Sequence, residues 1–378
     1  MTNFIILNIF LILFFTSEKL FGLINTKRLE NQNKSSKVYS NTKRDDISEI
    51  LKIKKVYADK VDIIAKVNSD KYTLYLSTDK TFPNIRYDKN SEKVILTKDT
   101  IDYQTIKMKN SKEKIIFTDW NKKNENIVIK NLTPKSDYAL GLYQNSNDSL
   151  KLISKYEFNT LALEPSRQAM QISFGEITDT TIKLNFIFGN GESRILVGAI
   201  GDNVDIPVDG TEYKSSNIFG NLETKLGKSF ILYDGKDKTP QVTITNLEPG
   251  IKYTFAVFEY NGKGKYTNYV NKITNNNQRS ISTRLKAPEI LNVETISENS
   301  ITIKWKKIPN NVNYIIDVAT NEEFTNKVED YNQVDVGDLD NFEISDLIKG
   351  KTYYIRIKAR GTEGESLFSK PYKFIISK

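Results

Sequence analysis

The stretch Ile115–Leu132 aligns without gaps on Phe230–Leu247. Both run on into the pattern Leu-x-Pro-x-x-x-Tyr, first as Leu132, Pro134 and Tyr138, then as Leu247, Pro249 and Tyr253. A third copy keeps Leu347, Gly350 and Tyr353 without the proline. The leucines stand at 132, 247 and 347, so the repeating unit is near 100 residues and the chain holds three of them. The pattern has a physical logic. The leucine ends one strand and packs inward, Pro or Gly turns the chain, and the tyrosine opens the next strand with its ring at the core edge. Its hydroxyl is expected to reach a main-chain group near the turn.

Short apolar runs separated by turn residues fill the chain from about Ile47 onward. Val61–Val67, Tyr72–Ser77, Thr181–Phe188, Tyr253–Phe258, Ser300–Trp305, Tyr314–Val318 and Tyr353–Ala359 are examples. Within Ile301–Trp305, residues 301, 303 and 305 share one face and the polar residues the other, the period of a half-buried strand. No helical periodicity is sustained after the N-terminal region. The expected fold class is all-β, three β-sandwiches in a row, over residues 47–162, 163–285 and 286–378. The joints Thr160–Pro165 and Thr283–Pro288 are short, which predicts a semi-rigid rod.

The chain of 378 residues has no cysteine and no histidine. No disulfide staples a domain, and thiolate nucleophiles, Cys or His zinc sites and Ser-His-Asp catalysis are all excluded. Carboxylate pairs, Lys bases and Tyr acids remain, but small sandwiches offer no cleft to hold two acids across a substrate. No cofactor, no resident metal and no enzymatic activity are expected. The net charge of +8 is concentrated: residues 26–60 hold ten Lys or Arg against five Asp or Glu. A uniformly basic nucleic-acid-binding surface is not indicated.

Phe4–Phe15 is apolar apart from Asn8, a length suited to an export-signal core and short for a membrane span. Residues 1–25 are read as a signal peptide, with an uncleaved N-terminal anchor as the competing reading. Residues 26–46 read as a flexible basic linker. Membrane association is expected only through the N-terminal segment, if it is uncleaved.

The third unit resembles fibronectin type III domains. Trp305 in Ser-Ile-Thr-Ile-Lys-Trp is similar to the family's strand B tryptophan, Tyr314–Val318 to strand C, and Leu347, Gly350 and Tyr353 to its tyrosine corner. The second unit resembles a longer variant found in secreted and surface proteins of Bacteroidetes-type bacteria. Its marks are Phe188-Gly-Asn-Gly-Glu192, Pro207-Val-Asp-Gly-Thr-Glu-Tyr213, Leu247-Glu-Pro-Gly250 and Phe255-Ala-Val-Phe-Glu-Tyr-Asn-Gly262, with Phe186 where that variant has Trp. The first unit is a more divergent copy. Asp99-Thr-Ile-Asp-Tyr103 echoes the Asp-Gly-Thr-Glu-Tyr segment, and Lys135 stands where the corner has Gly. The resemblance implies an Ig-like fold and a structural role for Trp305, Phe186, Leu132, Tyr138, Leu247, Tyr253, Leu347 and Tyr353.

Ligand contacts are expected on loops. Tyr260, Tyr266 and Tyr269 surround a Gly-rich loop whose aromatics suit sugar stacking, against the plainer reading of a hairpin loop. Trp120 is either an exposed anchor or packed under its loop. Arg360-Gly361-Thr362 occupies the expected F–G loop of the third unit, but lacks the aspartate of an integrin-binding tripeptide. Asp335, Asp338 and Asp340 are acids close in sequence without an EF-hand pattern, more simply a solvated strand edge than a Ca²⁺ site. The expected function is a non-enzymatic, secreted or cell-surface binding, adhesion or spacer protein with a protein or glycan partner. The alternatives are an accessory subunit of a surface polysaccharide or secretion complex, and an uncharacterised hydrolase. The oligomeric state is open.

Overall fold

The computed structural model describes residues 51–65, 72–78, 80, 82, 85–86, 100–102, 115–117, 125–146, 149–238, 240–309, 312–362 and 364–376. The signal or anchor segment, the linker 26–46, Tyr103 and Trp120 lie outside them. The chain divides into two compact units. One ends at Leu163 and includes Gly262–Asn268; the other comprises Glu164–Asn261 and Tyr269–Lys378.

The first unit contains β1 (Leu51–Val56), β2 (Val61–Ala65), β3 (Tyr72–Ser77), β4 (Ile85–Arg86), β5 (Thr100–Asp102), β6 (Ile115–Phe117), β7 (Glu125–Lys130), β8 (Asp137–Ser146) and β9 (Ser149–Asn159). They form two sheets, β1-β2-β7-β5 and β4-β9-β8-β3-β6. Leu51, Val61, Ile63, Ile127 and Ile129 of one sheet face Leu74, Leu76, Leu140, Leu142 and Tyr156 of the other across one core. Alternating residues along each strand supply that inner layer, which is why the sequence period is two.

The second unit holds two further sheet pairs. The first comprises β10 (Met170–Ile177), β11 (Ile182–Ile187), β12 (Ser193–Ile200), β13 (Lys225–Leu226), β14 (Ser229–Gly235), β15 (Gln241–Ile244), β16 (Lys252–Asn261), β17 (Asn268–Tyr269) and β18 (Gln278–Ser282). Its sheets are β10-β11-β15 and β13-β14-β12-β16-β17, with β18 also on β16. The second pair comprises β19 (Ile290–Thr295), β20 (Ile301–Trp305), β21 (Asn313–Ala319), β22 (Val334–Asp335), β23 (Asn341–Ile344), β24 (Thr352–Gly361), β25 (Gly364–Glu365) and β26 (Tyr372–Ile375). Here the sheets are β19-β20-β23 and β22-β21-β24-β25, with β26 also on β24. Trp305 is buried against Tyr314, ring centroids 5.3 Å apart, and its indole Nε1 has no hydrogen-bond partner among the described residues. Phe186 fills its own core edge-on to Tyr233.

The same corner is built in each sandwich. The N–H of the residue after the leucine donates to the tyrosine hydroxyl: Thr133 to Tyr138 at 2.9 Å, Glu248 to Tyr253 at 2.8 Å, Ile348 to Tyr353 at 2.9 Å. Before the leucine stand Asn131, Asn246 and Asp346, at φ of 59°, 62° and 57°, polar residues that tolerate the left-handed region. Each leucine N–H then bonds a turn carbonyl, that of Asp59, Thr180 or Asn299. Two residues into the corner, Lys135, Gly250 and Gly350 all have positive φ, and their N–H groups close onto Leu161, Arg284 and Ile376 carbonyls. Buried main-chain donors at a strand crossing must find acceptors, and the phenol supplies one that no backbone group reaches.

Within the second unit, the joint Thr283–Pro288 is not an idle spacer. Leu285 packs into the core shared with Trp305 and Tyr353. It also lies against both loops, so that a Cβ at Gly250 would come within 2.7 Å of its Cδ2 and one at Gly361 within 3.3 Å of its Cδ1.

Candidate interaction site

Strands β12 and β16 are buried along almost their whole length, not on alternate residues. Leu196, Tyr253, Phe255 and Val257 face the core between the sheets. Ile195, Val197, Ala199, Ala256 and Phe258 face a second core on the outer side, completed by Val204, Leu226, Ile231 and Tyr269. The cover comes from the strap Gly201–Leu226, largely without regular strand: Val204, Tyr213 and Leu226 close the outer core, while Phe219 turns into the core between the sheets and Ile218 bridges to Thr245. Continuous apolar runs in both strands are the sequence signal of this two-sided burial.

Polar side chains pin the strap to the sheet. The Asp205 Oδ2 accepts from Lys228 N at 2.7 Å and from Ser229 N and Oγ, both at 2.9 Å. Gly227, at φ +58°, lets the chain pass: a Cβ there would sit 2.6 Å from the Asp205 carboxylate. The segment Pro207–Tyr213 is a fourth tyrosine corner. Val208 N–H donates to the Tyr213 hydroxyl at 3.0 Å, and Gly210, two residues after Val208, has φ +74°. Asp209 Oδ1 accepts from Tyr269 N at 2.9 Å and from Asn271 Nδ2 at 3.1 Å. The Tyr269 hydroxyl donates to Thr211 O at 3.0 Å, and Asn221 caps the short turn Leu222–Thr224 by accepting from Glu223 N. The outward side of this fixed strap carries Ile206, Val208, Ile218 and Leu222, the last two at 48% and 77% exposure. Sequence reasoning did not single these residues out; the Pro207–Tyr213 motif was their nearest signal.

The end of the same sheet is closed by charge. Arg194 on β12 stands opposite Glu259 on β16, both withdrawn from water, with Nε 2.8 Å from Oε1. The N–H groups of Gly189 and Gly191 complete the carboxylate shell at 2.9 Å each. A Cβ at Gly191 would lie 2.8 Å from the Glu259 carboxylate, and one at Gly189 would run into the Arg167 carbonyl at 2.0 Å as well as Glu259 at 2.8 Å, so Phe188-Gly-Asn-Gly-Glu192 is shaped by the buried acid and the Arg167 main chain together.

Of the three loop tyrosines expected from sequence as ligand contacts, Tyr269 is interior and Tyr260 and Tyr266 are half-buried. Tyr269 is 2% exposed and forms part of the second core. Tyr260 is half-buried, its ring tilted against that of Tyr269 with centroids 5.0 Å apart, and its hydroxyl donates to Asp234 at 2.8 Å. Tyr266 lies in the loop Gly262–Asn268 of the first unit and donates to Asp137 at 3.1 Å, while Lys265 donates to both oxygens of that carboxylate at 2.6 and 2.7 Å. Burial alone would raise the Asp137 pKa. The bonds from Lys265 and Tyr266, with the charges of Lys265 and Lys80, outweigh it and hold the carboxyl below the ordinary aspartate value. All three tyrosine hydroxyls donate to groups of the chain.

In the third sandwich, Arg360 is exposed at the β24–β25 tip, bonded to Glu365 at 2.6 Å and 3.6 Å from Asp335. The three acids do not converge. Asp335 accepts from Gly337 N, Asp338 pairs with Lys307 at 3.0 Å, and Asp340 accepts from Asn341. Among the described residues no group of three acids is arranged to hold a metal ion. A cluster that sequence reasoning missed surrounds the buried Asp317. It accepts from Arg356 Nη2 at 2.7 Å and Gln333 N at 2.7 Å, with Lys327 at 3.2 Å. The Arg356 guanidinium lies over the rings of Phe324 and Phe368, 4.1 and 4.0 Å from their centroids.

Paired sheets of this kind, antiparallel except where β5 runs parallel to β7, define an all-β protein of Ig-like sandwiches. Residues 286–375 match the family model of the fibronectin type III domain. Among solved structures, a two-domain fibronectin type III segment of chicken tenascin is 16% identical, with TM-score 0.32, covering 56% of this chain and 99% of its own. The FN1–FN3 domains of chicken CNTN1 are 15% identical, with TM-score 0.23, covering 87% of this chain and 97% of theirs. No curated protein matches the chain. Fibronectin type III domains are typical of extracellular binding, adhesion and spacer proteins. No helix among the described residues is long and apolar enough to cross a membrane.

Proposed function

We propose that this chain is a non-enzymatic binding and spacer protein of the cell surface or extracellular space, and that a protein partner docks on the strap Gly201–Leu226. The observation that carries this reading is the combination of rigidity and outward apolar side chains in one segment. Asp205, Asp209, Tyr213 and Asn221 fix the backbone, and Ile206, Val208, Ile218 and Leu222 remain exposed. Ordering entropy is thus spent on folding rather than at docking, which favours affinity. Four exposed apolar side chains on one fixed segment favour a protein contact there. The absence of His and Cys from the chain fits a role in binding rather than catalysis.

Val208→Asp with Leu222→Asp tests the reading. Both side chains point to solvent, so the melting temperature is expected to hold. Retention of surface proteins from the native cell envelope by the immobilised full chain is expected to disappear. Retention of the same proteins by the variant would refute docking at the strap.

A further inference from the structure

The hairpin of β1 and β2 carries a second, chemically different surface. The register of β1 on β2 breaks between Ile53 and Lys55. Ile53 pairs with Ile63 and Lys55 with the adjacent Asp62, so Lys54 is the extra, bulged residue. Without the bulge, alternation would turn Lys55 toward the core with Leu51 and Ile53. With it, Lys52, Lys54 and Lys55 are all exposed, while Leu51, Ile53 and Val56 serve the core. Lys60 follows at the hairpin turn and Lys130 is exposed on β7 of the same sheet.

Among the acids of β1, β2, β7 and the hairpin turn whose side chains are described, these five lysines face Asp59 and Asp62. Among the described residues none of the five is in a salt bridge, whereas Lys80, Lys155 and Lys265 of the same unit all are. Asp62 instead accepts from the Tyr57 hydroxyl at 3.1 Å. Lys55 and Lys60 place their ammonium groups 4.8 and 4.2 Å from the Tyr57 ring centroid. Lysines on an edge strand also discourage sheet-to-sheet association. That role needs one or two charges; it does not need a bulge that turns a third lysine outward.

We propose that this lysine face binds an anionic polysaccharide, one bearing carboxylate or sulfate groups along its length. Charge complementarity selects a polyanion. Lysines two apart on a strand stand roughly 7 Å from one another, forming a row that suits a linear chain. Two features separate polysaccharide from the other polyanions. The Tyr57 ring is taken by two ammonium groups, so no free aromatic face is offered to a nucleic-acid base. Among the described residues of the hairpin, no large apolar side chain is exposed to enter a lipid surface. The inference deepens the binding reading by naming a partner chemistry at a site remote in sequence from the strap, so either can fail without the other.

The test is retention of the purified full chain on immobilised polygalacturonate and dextran sulfate. The wild-type chain is expected to bind at 50 mM salt and to weaken roughly tenfold by 200 mM. The Lys52→Gln/Lys54→Gln/Lys55→Gln variant is expected to lose at least about tenfold in affinity at 50 mM salt, with an unchanged melting curve. Should that variant lose its fold, Lys60→Gln/Lys130→Gln removes two charges outside the bulge and is expected to weaken binding as well. Neutralising the six basic residues between Lys27 and Arg44 is expected to leave most of the binding intact. Three results would overturn the proposal: no wild-type retention at 50 mM salt, undiminished binding by both lysine variants, or equal or tighter binding to single-stranded DNA or anionic vesicles. The strap variant Val208→Asp/Leu222→Asp is expected to bind the polysaccharide as the wild type does.

Discussion

Arg194 and Glu259 sit directly opposite one another on β12 and β16, 2.8 Å apart and sealed from water, and the two glycine amides of the neighbouring loop finish the carboxylate's coordination. A buried pair of this kind contributes little net stability beyond what a well-packed apolar pair would give, yet removing one partner strands a charge. Arg194→Met is therefore expected to cost about 3–5 kcal/mol. The double variant Arg194→Met/Glu259→Leu is expected to recover only part of that loss, because it removes the stranded charge but leaves the Gly189 and Gly191 N–H groups without their acceptor. Urea denaturation of the three proteins checks both statements; a single variant as stable as the wild type would show that Glu259 is not confined as described.

The corner tyrosines act through a hydroxyl that accepts one main-chain N–H. Tyr353→Phe leaves the Ile348 N–H without its acceptor and is expected to cost about 1–2 kcal/mol, read from the urea midpoint. Tyr213→Phe removes the corresponding acceptor from Val208. Because that corner lies on the strap, hydrogen exchange there is expected to accelerate locally while the sheet amides stay protected.

Gly250 and Gly350 occupy the same place in successive corners, at φ +69° and +77°. An alanine at Gly350 meets open space and costs only the left-handed backbone, about 1 kcal/mol. At Gly250 the added methyl also runs into Leu285, 2.7 Å away. Gly250→Ala is expected to be the more damaging of the two in thermal unfolding. Equal losses would mean that Leu285 yields freely and does not tie the joint to the corner.

Asp137 gives a pH signature. Its carboxyl titrates below the ordinary value in the folded chain because Lys265, Tyr266 and Lys80 favour the charged form over the opposing effect of burial. A depressed folded pKa means a contribution fully present above the unfolded value, near 3.8, and lost as pH falls through the folded value. The stability difference between the wild type and Asp137→Asn is expected to be constant from pH 5 to 7 and to shrink below about pH 3.8. Thermal melts across that range measure it.

A buried acid in the third sandwich offers a contrast in chemistry. Arg356 holds Asp317 and is itself covered by Phe324 and Phe368. Arg356→Lys keeps the charge but loses the planar fork and its fit to the two rings. It is expected to lower the melting temperature measurably, and Arg356→Met more so.

The leucine-to-tyrosine repeat is sufficient to set the fold class, because each of its residues answers a local demand: an inward leucine, a turn residue with positive φ, a phenol for an orphan N–H. Strand periodicity at Ile301–Trp305 likewise needs only neighbouring residues to be read. The lack of His and Cys bounds the chain's chemistry by residue inventory alone. Tyr260, Tyr266 and Tyr269 were legible as a loop cluster, but not as interior or clamped groups, since their surroundings come from Asp234, Asp137 and Thr211, far away in sequence. The strap's outward Val208 and Leu222 were equally hidden, because an apolar residue in a long loop reads the same whether it covers a core or faces water. The bulge at Lys54 depends on cross-strand register, which no single strand encodes. Local backbone geometry and inner-face alternation belong to the sequence itself; which side chains end up covered, paired or free depends on segments that meet only when the sheets pack.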